Sequence, residues 1–194
     1  MKYKKSVILL AGGKGSRLNY IDKSFLEFKG KPFFEIIIEK LGNFSEVIII
    51  SNSPEKYLKY NVKVIKDDVK DIGPIGGIFT GLKNALNDEC LVLSCDTPFI
   101  KKEFIEYLGK IKGDYDISVP VHNFYKEPLC ALYKKNSLKE ISDSIKKREF
   151  KIAKIFQKLN VNWININKLK NSEEISKGFF NINTFEDLEI IKKM

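Results

Sequence analysis

Soft metal ligands are nearly missing from this chain. Three cysteines (Cys90, Cys95, Cys130) and a single histidine, His122, are all that its 194 residues provide. Their spacings match no zinc pattern, which argues against a Cys/His metal centre. Two of the cysteines sit in or beside apolar runs and read as small core residues. Long hydrophobic runs are lacking too, and nothing approaches the roughly 18 apolar residues of a membrane span. The opening MKYKKSVILLAGG briefly imitates a signal peptide, but its apolar run is too short and ends in glycine and charge. The expectation is a soluble protein of a reducing, cytoplasmic compartment, with no membrane partner.

Acidic residues are the scarcer charge, 25 against 34 basic, for a net charge of +9. A basic excess can serve nucleic acid, a membrane surface or small anionic substrates. Here it is spread evenly: residues 1–100 carry 15 basic and 12 acidic side chains, and 101–194 carry 19 and 13. The densest cluster, KKREFKIAK, lies on a helical pattern and reads as a solvated face. There is no basic tail and no aromatic-interleaved RNA signature, so nucleic acid is not expected as a partner.

Apolar runs bounded by polar turns fall at 6–10, 47–50 and 90–94, with a shorter alternating one at 62–65. Their Val, Ile and Leu content suits strands covered on both faces. Between them, Phe33, Phe34, Ile37, Ile38 and Leu41 recur at helical spacing. So do Ile78, Leu82, Ala85 and Leu86 after the pair Gly76–Gly77, and Phe104, Ile105, Leu108 and Ile111. Strand alternating with helix predicts an α/β, Rossmann-like fold: a mainly parallel sheet between helices. In the second half DISVPV, PLCALY and VNWINI read as strands. Ser137 with Glu140 predicts a capping box, 151–159 a helix, and Thr184 with Asp187 the start of a last helix. No repeat or linker interrupts the chain, so 1–194 is expected to be one domain.

The turn LAGGKGSRLNYIDK follows the first strand without a pause. Ligands of open α/β sheets bind outside the carboxyl ends of the strands, and glycines there let amide N–H groups face an anion. The turn lacks both GxxxxGK[ST] and GxGxxG, so neither a P-loop nor a dinucleotide fingerprint is present. Lys14, Arg17 and Lys23 around it suit phosphoryl oxygens. A second candidate is Asp96 in LVLSCDTPF, again just past a buried strand. One carboxylate opposite a phosphate-binding turn is enough to hold Mg²⁺. A cap for the helix near 101–111 is the equal alternative for that aspartate.

Taken together and in order, LAGGKGSRLNYIDKSFLEFKGKP, DIGPIGGIFTGL, CDTPFI, EPLCALY and FFNINTFEDL resemble the molybdenum cofactor guanylyltransferase family of the MobA type. The likeness spans nearly the whole chain. The LAGG…R…DK and CDxP elements belong to a wider nucleotidyltransferase class, whereas GPIGG and NINT narrow it. The resemblance implies backbone contacts to the nucleotide from Leu10, Ala11 and Gly12, with Gly13 and Arg17 near its phosphates. It implies Lys23 on the triphosphate, Asp67 on the nucleotide, Asp96 as the Mg²⁺ ligand, and Asn181 and Asn183 beside the pterin. Residues 1–100 would then form the nucleotide and metal half and 101–194 the acceptor half. Two positions depart from the family: Leu18-Asn19 stand where Met-Gly is usual, and Phe185 where proline is common.

The activity implied is transfer of GMP from GTP to molybdenum-loaded molybdopterin, with release of pyrophosphate. A molybdenum-insertion protein and acceptor molybdoenzymes would be its protein partners. CTP in place of GTP, a sugar-phosphate acceptor, and a non-catalytic nucleotide-binding role are the alternatives. Lys23 and Asp96 together favour the enzyme, since binding without turnover needs neither. His122 is expected in a loop, locally bonded or touching substrate. Trp163 is expected in the core, and Asn52 at the ligand edge of its strand.

Overall fold

Every residue of the first strand from Lys5 onward is buried (β1, Tyr3–Leu10). Alternate side chains go to opposite sides: Val7 and Leu9 join one apolar layer, Ile8 and Leu10 the other. A strand covered on both faces belongs in the middle of a sheet. A computed structural model describes residues 2–11, 22–69 and 71–193, and there β1 lies between two parallel neighbours.

The remaining strands are β2 (Glu27–Phe28), β3 (Lys31–Pro32), β4 (Phe44–Ile50), β5 (Lys63–Ile65), β6 (Glu89–Ser94), β7 (Ile117–His122), β8 (Tyr125–Lys126), β9 (Cys130–Lys134) and β10 (Val161–Asn165). The helices are α1 (Phe33–Ile38), α2 (Pro74–Asn84), α3 (Lys102–Lys110), α4 (Leu138–Lys146), α5 (Ile152–Ile155), α6 (Ser172–Lys177) and α7 (Phe185–Lys192). Among the described residues the main sheet runs β10-β7-β9-β6-β1-β4-β5, with β8 paired to β7. The neighbours of β1, the β4–β5 pair and the β10–β7 pair are parallel, and β9 is antiparallel to both β6 and β7. The mainly parallel α/β reading is borne out.

A third, small core decides where the chain ends. Phe33, Ile182 and Ile191 are buried together, with Leu26, Phe28, Ile36, Phe99, Phe180 and Leu188 packed around them. The β2–β3 hairpin, which turns through Lys29 and Gly30 at positive φ, is thereby sealed against α7. That packing brings residues 181–184 back beside residues 22–26.

Several local expectations shift. The glycine pair expected ahead of the second helix lies inside the first turn of α2. A Cβ on Gly76 would stand 2.5 Å from the Val69 carbonyl oxygen, so glycine permits a close backbone approach there. Ser137 does not open a capping box. It sits in a 3-10 turn, its hydroxyl donates to the Lys134 carbonyl, and α4 follows without a side-chain cap. The helix expected over 151–159 splits into α5 and a 3-10 turn, Phe156–Lys158. Trp163 is 44% exposed on the edge strand β10, edge-on to Phe156 with the Lys126 ammonium over its ring. An edge strand is paired on one side only, a position that the run VNWINI alone does not reveal. The three cysteines are free and buried, and the Thr184–Asp187 capping box forms in full.

Candidate active site

The carboxyl end of β1 is tied down on both sides. The Cys95 amide donates to the Leu10 carbonyl at 3.1 Å, and the Ala11 amide donates to the Ile50 carbonyl at 2.9 Å. These bonds commit Leu10 and Ala11 to the sheet. Gly12, Gly13, Lys14 and Arg17 lie outside the described residues.

Past that turn, Lys23 sits in a 3-10 turn, Lys23–Phe25, capped by Asp22. The Ser24 hydroxyl donates to Asp22 Oδ1 at 2.6 Å and stands 2.7 Å from the Tyr57 hydroxyl. Since serine has one proton to give, the tyrosine is the donor in the second bond. Burial pushes the Tyr57 phenol well above its ordinary value, so it keeps that proton at neutral pH. Lys56 adds a bond to Asp22 Oδ2 at 3.1 Å. Asp22, Ser24 and Tyr57 were not singled out from the sequence. The aspartate directly before Lys23 was the available signal.

The Lys23 ammonium donates to Asn183 Oδ1 and lies 3.7 Å from Asp96 Oδ2. Three expected site residues, from three distant parts of the chain, therefore meet. Asp96 follows β6 directly, and its carbonyl accepts from the Ile182 amide at 2.9 Å, which docks the NINT segment alongside. The loop after Asp96 is clamped from α1's side: Lys40 donates to the Pro98 carbonyl at 2.6 Å and the Ile100 carbonyl at 3.0 Å. Burial, reinforced by Lys101, lowers the pKa of Lys40.

The helix-cap alternative for Asp96 fails. The residue preceding α3 is Lys101, and it makes no side-chain cap. Asp96 Oδ1 is instead buried, with no hydrogen-bond partner among the described residues. A buried carboxylate oxygen left unsatisfied calls for an explanation, and a cation is the simplest. Among the described residues no cluster of three or more His, Cys, Asp or Glu could hold a metal. The donor set thus fits a hard cation that draws its other ligands from substrate oxygens and water.

Asp67 follows β5, three strand spacings from β6, or about 14 Å along the edge. Its Oδ1 accepts from the buried Thr80 hydroxyl at 2.9 Å and the Val69 amide at 3.1 Å, which fixes it over the first turn of α2. Asn181 is exposed, Ile182 buried and Asn183 half-buried, and no strand forms there. Asp187 accepts from the amides of Asn183 and Thr184, each at 2.8 Å. His122 closes β7 rather than lying in a loop, and pairs with Glu127.

The chain as a whole has known counterparts. Residues 7–162 match the family model described as the MobA-like NTP transferase domain. The chain belongs to that family. MobA-like NTP transferases are enzymes, and relatives cover this chain almost end to end. A Clostridium perfringens protein named "Probable molybdenum cofactor guanylyltransferase" is 42% identical, over 98% of both chains. A Syntrophotalea carbinolica "Molybdenum cofactor guanylyltransferase" is 30% identical, over 95% of this chain and 89% of that one. The crystal structure of molybdopterin-guanine dinucleotide biosynthesis protein A from Archaeoglobus fulgidus superposes with a TM-score of 0.83. It is 31% identical and each chain is 97% covered.

Proposed function

We propose that this chain transfers GMP from GTP to molybdenum-loaded molybdopterin and releases pyrophosphate, as the names of its MobA-like relatives describe. The observation that carries the reading is the meeting of Lys23 with Asp96, whose Oδ1 is buried without a partner among the described residues. Asp96 is the residue that would hold magnesium. When bound, the ion would supply charge neutralisation for the phosphate oxygens of the nucleotide.

The terminal phosphate of the acceptor is an anion near neutral pH, so attack on the α-phosphorus needs no general base. The protein's part is to orient the two phosphates in line and to offset the charge that moves onto the departing pyrophosphate. Lys23, anchored to Asn183, is suited to the second task. Asp67 would meet the nucleotide farther along the edge, and Asn181 the acceptor. Gly12, Gly13 and Arg17 are assigned to the nucleotide by resemblance. A reducing cytoplasmic setting suits the three free thiols.

The test is turnover by the purified chain supplied with GTP, magnesium and charged acceptor. Pyrophosphate and a guanine dinucleotide should appear together, and Lys23→Ala should suppress both. Equal or faster turnover with CTP would reassign the base, and binding of GTP without any transfer would make the chain a nucleotide-binding protein.

A further inference from the structure

Beyond Asp96 the sheet edge continues toward β9 and β7, away from Ala11 and Asp67. In the antiparallel β6–β9 pair, Leu93 stands opposite Cys130. Asp96 lies two residues past the end of β6 and Glu127 three residues before the start of β9, so both flank the same edge of this pair. Glu127 is pinned there: its amide donates to the Pro120 carbonyl at 2.9 Å, and its carbonyl accepts from the Cys130 amide at 3.1 Å.

The side chain is equally fixed. Glu127 Oε1 lies 2.7 Å from His122 Nε2, and both side chains are more than four-fifths buried. The imidazole lies flat on Phe179, with centroids 5.0 Å apart and planes within 10°. Phe179 in turn packs edge-on against Phe104. Among the described residues His122 is the only ion-pair partner of Glu127. Burial raises its pKa and Asp96 adds to that rise, while His122 opposes it.

A held carboxylate of this kind, close enough to feel Asp96, repels phosphate. Its complement is a flat ligand edge that offers N–H donors, because an ionised carboxylate only accepts. Two adjacent donors, one ring N–H and one amino group, match its two oxygens. A 2-amino-4-oxopyrimidine ring has that edge, and it occurs both in guanine and in a pterin. Position chooses between them. Glu127 lies on the β9 side of Asp96, whereas Ala11 and Asp67, assigned above to the nucleotide, lie on the β1–β5 side.

We propose that Glu127 reads the amino-pyrimidinone edge of the acceptor's pterin ring, with His122 as its positioning residue. The inference rests on the transferase reading above and adds to it the group that selects the acceptor.

The experiment titrates intrinsic fluorescence of 6-hydroxymethylpterin phosphate against the matching lumazine phosphate, in which a carbonyl replaces the amino group. A site built to pair with a donor rejects the analogue lacking it, so wild type should prefer the pterin by about tenfold or more. Glu127→Gln keeps a partner for His122 but turns one acceptor into a donor, and should bring the ratio to within about twofold. His122→Phe keeps the ring on Phe179 but strips Glu127 of its partner, and should erode the ratio. Should the glutamine variant melt early, Glu127→Asp serves, and its ratio should fall by at least about threefold.

GTP and ITP, compared by calorimetry, form the other arm, and their ratio should be the same in every variant. A Glu127→Gln protein that retains the pterin preference reduces the pair to a tie across the β7–β8 hairpin and overturns the inference. Loss of the GTP-over-ITP preference instead overturns it in favour of guanine. A wild-type chain that binds GTP but neither pterin nor lumazine overturns the acceptor reading itself, and this inference with it.

Discussion

The two oxygens of Asp96 live in different surroundings. Oδ2 faces the Lys23 ammonium, while Oδ1 is buried and accepts no hydrogen bond from the described residues. An aspartate that stabilises the fold would have its oxygens bonded, so removing this one should cost little stability. Asp96→Ala should keep a melting temperature close to wild type while turnover falls by at least about a hundredfold. Thermal melts beside initial rates decide it, and a variant that melts early yet keeps its rate would return Asp96 to a structural role. The asparagines divide in a similar way. Asn183 holds Lys23, so Asn183→Ala should lower kcat. Asn181 is exposed and should affect only the acceptor, with GTP affinity in Asn181→Ala unchanged within about twofold by calorimetry. Equal effects of both variants on both ligands would rule that division out.

At the scale of the element, the turn Lys23–Phe25 is short, and side chains reinforce its two backbone bonds, Phe25 N–H to the Asp22 carbonyl and Leu26 N–H to the Lys23 carbonyl. Tyr57 donates to Ser24, Ser24 donates to Asp22, and the turn built on that relay presents the ammonium. Tyr57→Phe removes the first donor without changing the packing against Phe25 and Phe34. It should lower stability by about 0.5–1.5 kcal/mol, the net worth of one neutral hydrogen bond. It should also reduce kcat more than it raises KM, because Lys23 would lose its fixed aim. Denaturant melts and steady-state kinetics measure the two effects, and loss of stability with unaltered kcat would detach Tyr57 from the site.

Across the whole molecule, the two edges of the sheet do different work. The carboxyl edge carries the site, and the amino edge carries a polar network that holds strands together. Glu46 on β4 accepts from Ser6 on β1 at 2.5 Å, from the Leu86 amide at 2.8 Å and from Lys63 on β5 at 2.8 Å. Lys5 pairs with Glu89 and donates to the Ile111 carbonyl nearby. Burial raises the pKa of Glu46, but those bonds outweigh it and hold the carboxyl below its ordinary 4.5. A carboxyl depressed by folding contributes stability above its unfolded value and loses it as pH falls through the folded value. Wild type should therefore lose stability below about pH 4.5, and Glu46→Gln should be less stable at neutral pH with a flatter acid limb. Melting temperature recorded against pH tests this, and parallel acid limbs would show that Glu46 is not the group responsible.

Sequence alone determined what depends on near neighbours. The Val, Ile and Leu runs specified buried strands, the 3.6-residue spacing specified helices, and their alternation specified a mainly parallel sheet with its ligand edge at the strand ends. Thr184 and Asp187 specified a capped last helix because both partners of that cap lie within one turn. The ordered motifs pointed to the family before any contact was known. Tertiary structure decided whatever needed groups from far along the chain. It removed the helix-cap role for Asp96, since Lys101 and not Asp96 precedes α3. It brought Asn183 to Lys23 through a small core shared by Phe33, Ile182 and Ile191. It placed the Gly76–Gly77 pair inside α2, where the Val69 carbonyl approaches, and set Trp163 on an open edge. It set Glu127, within EPLCALY, at the same sheet edge as Asp96 and against His122. Periodicity and capping act over a few residues and can be read along a line, whereas burial, charge proximity and strand order exist only once the chain has closed on itself.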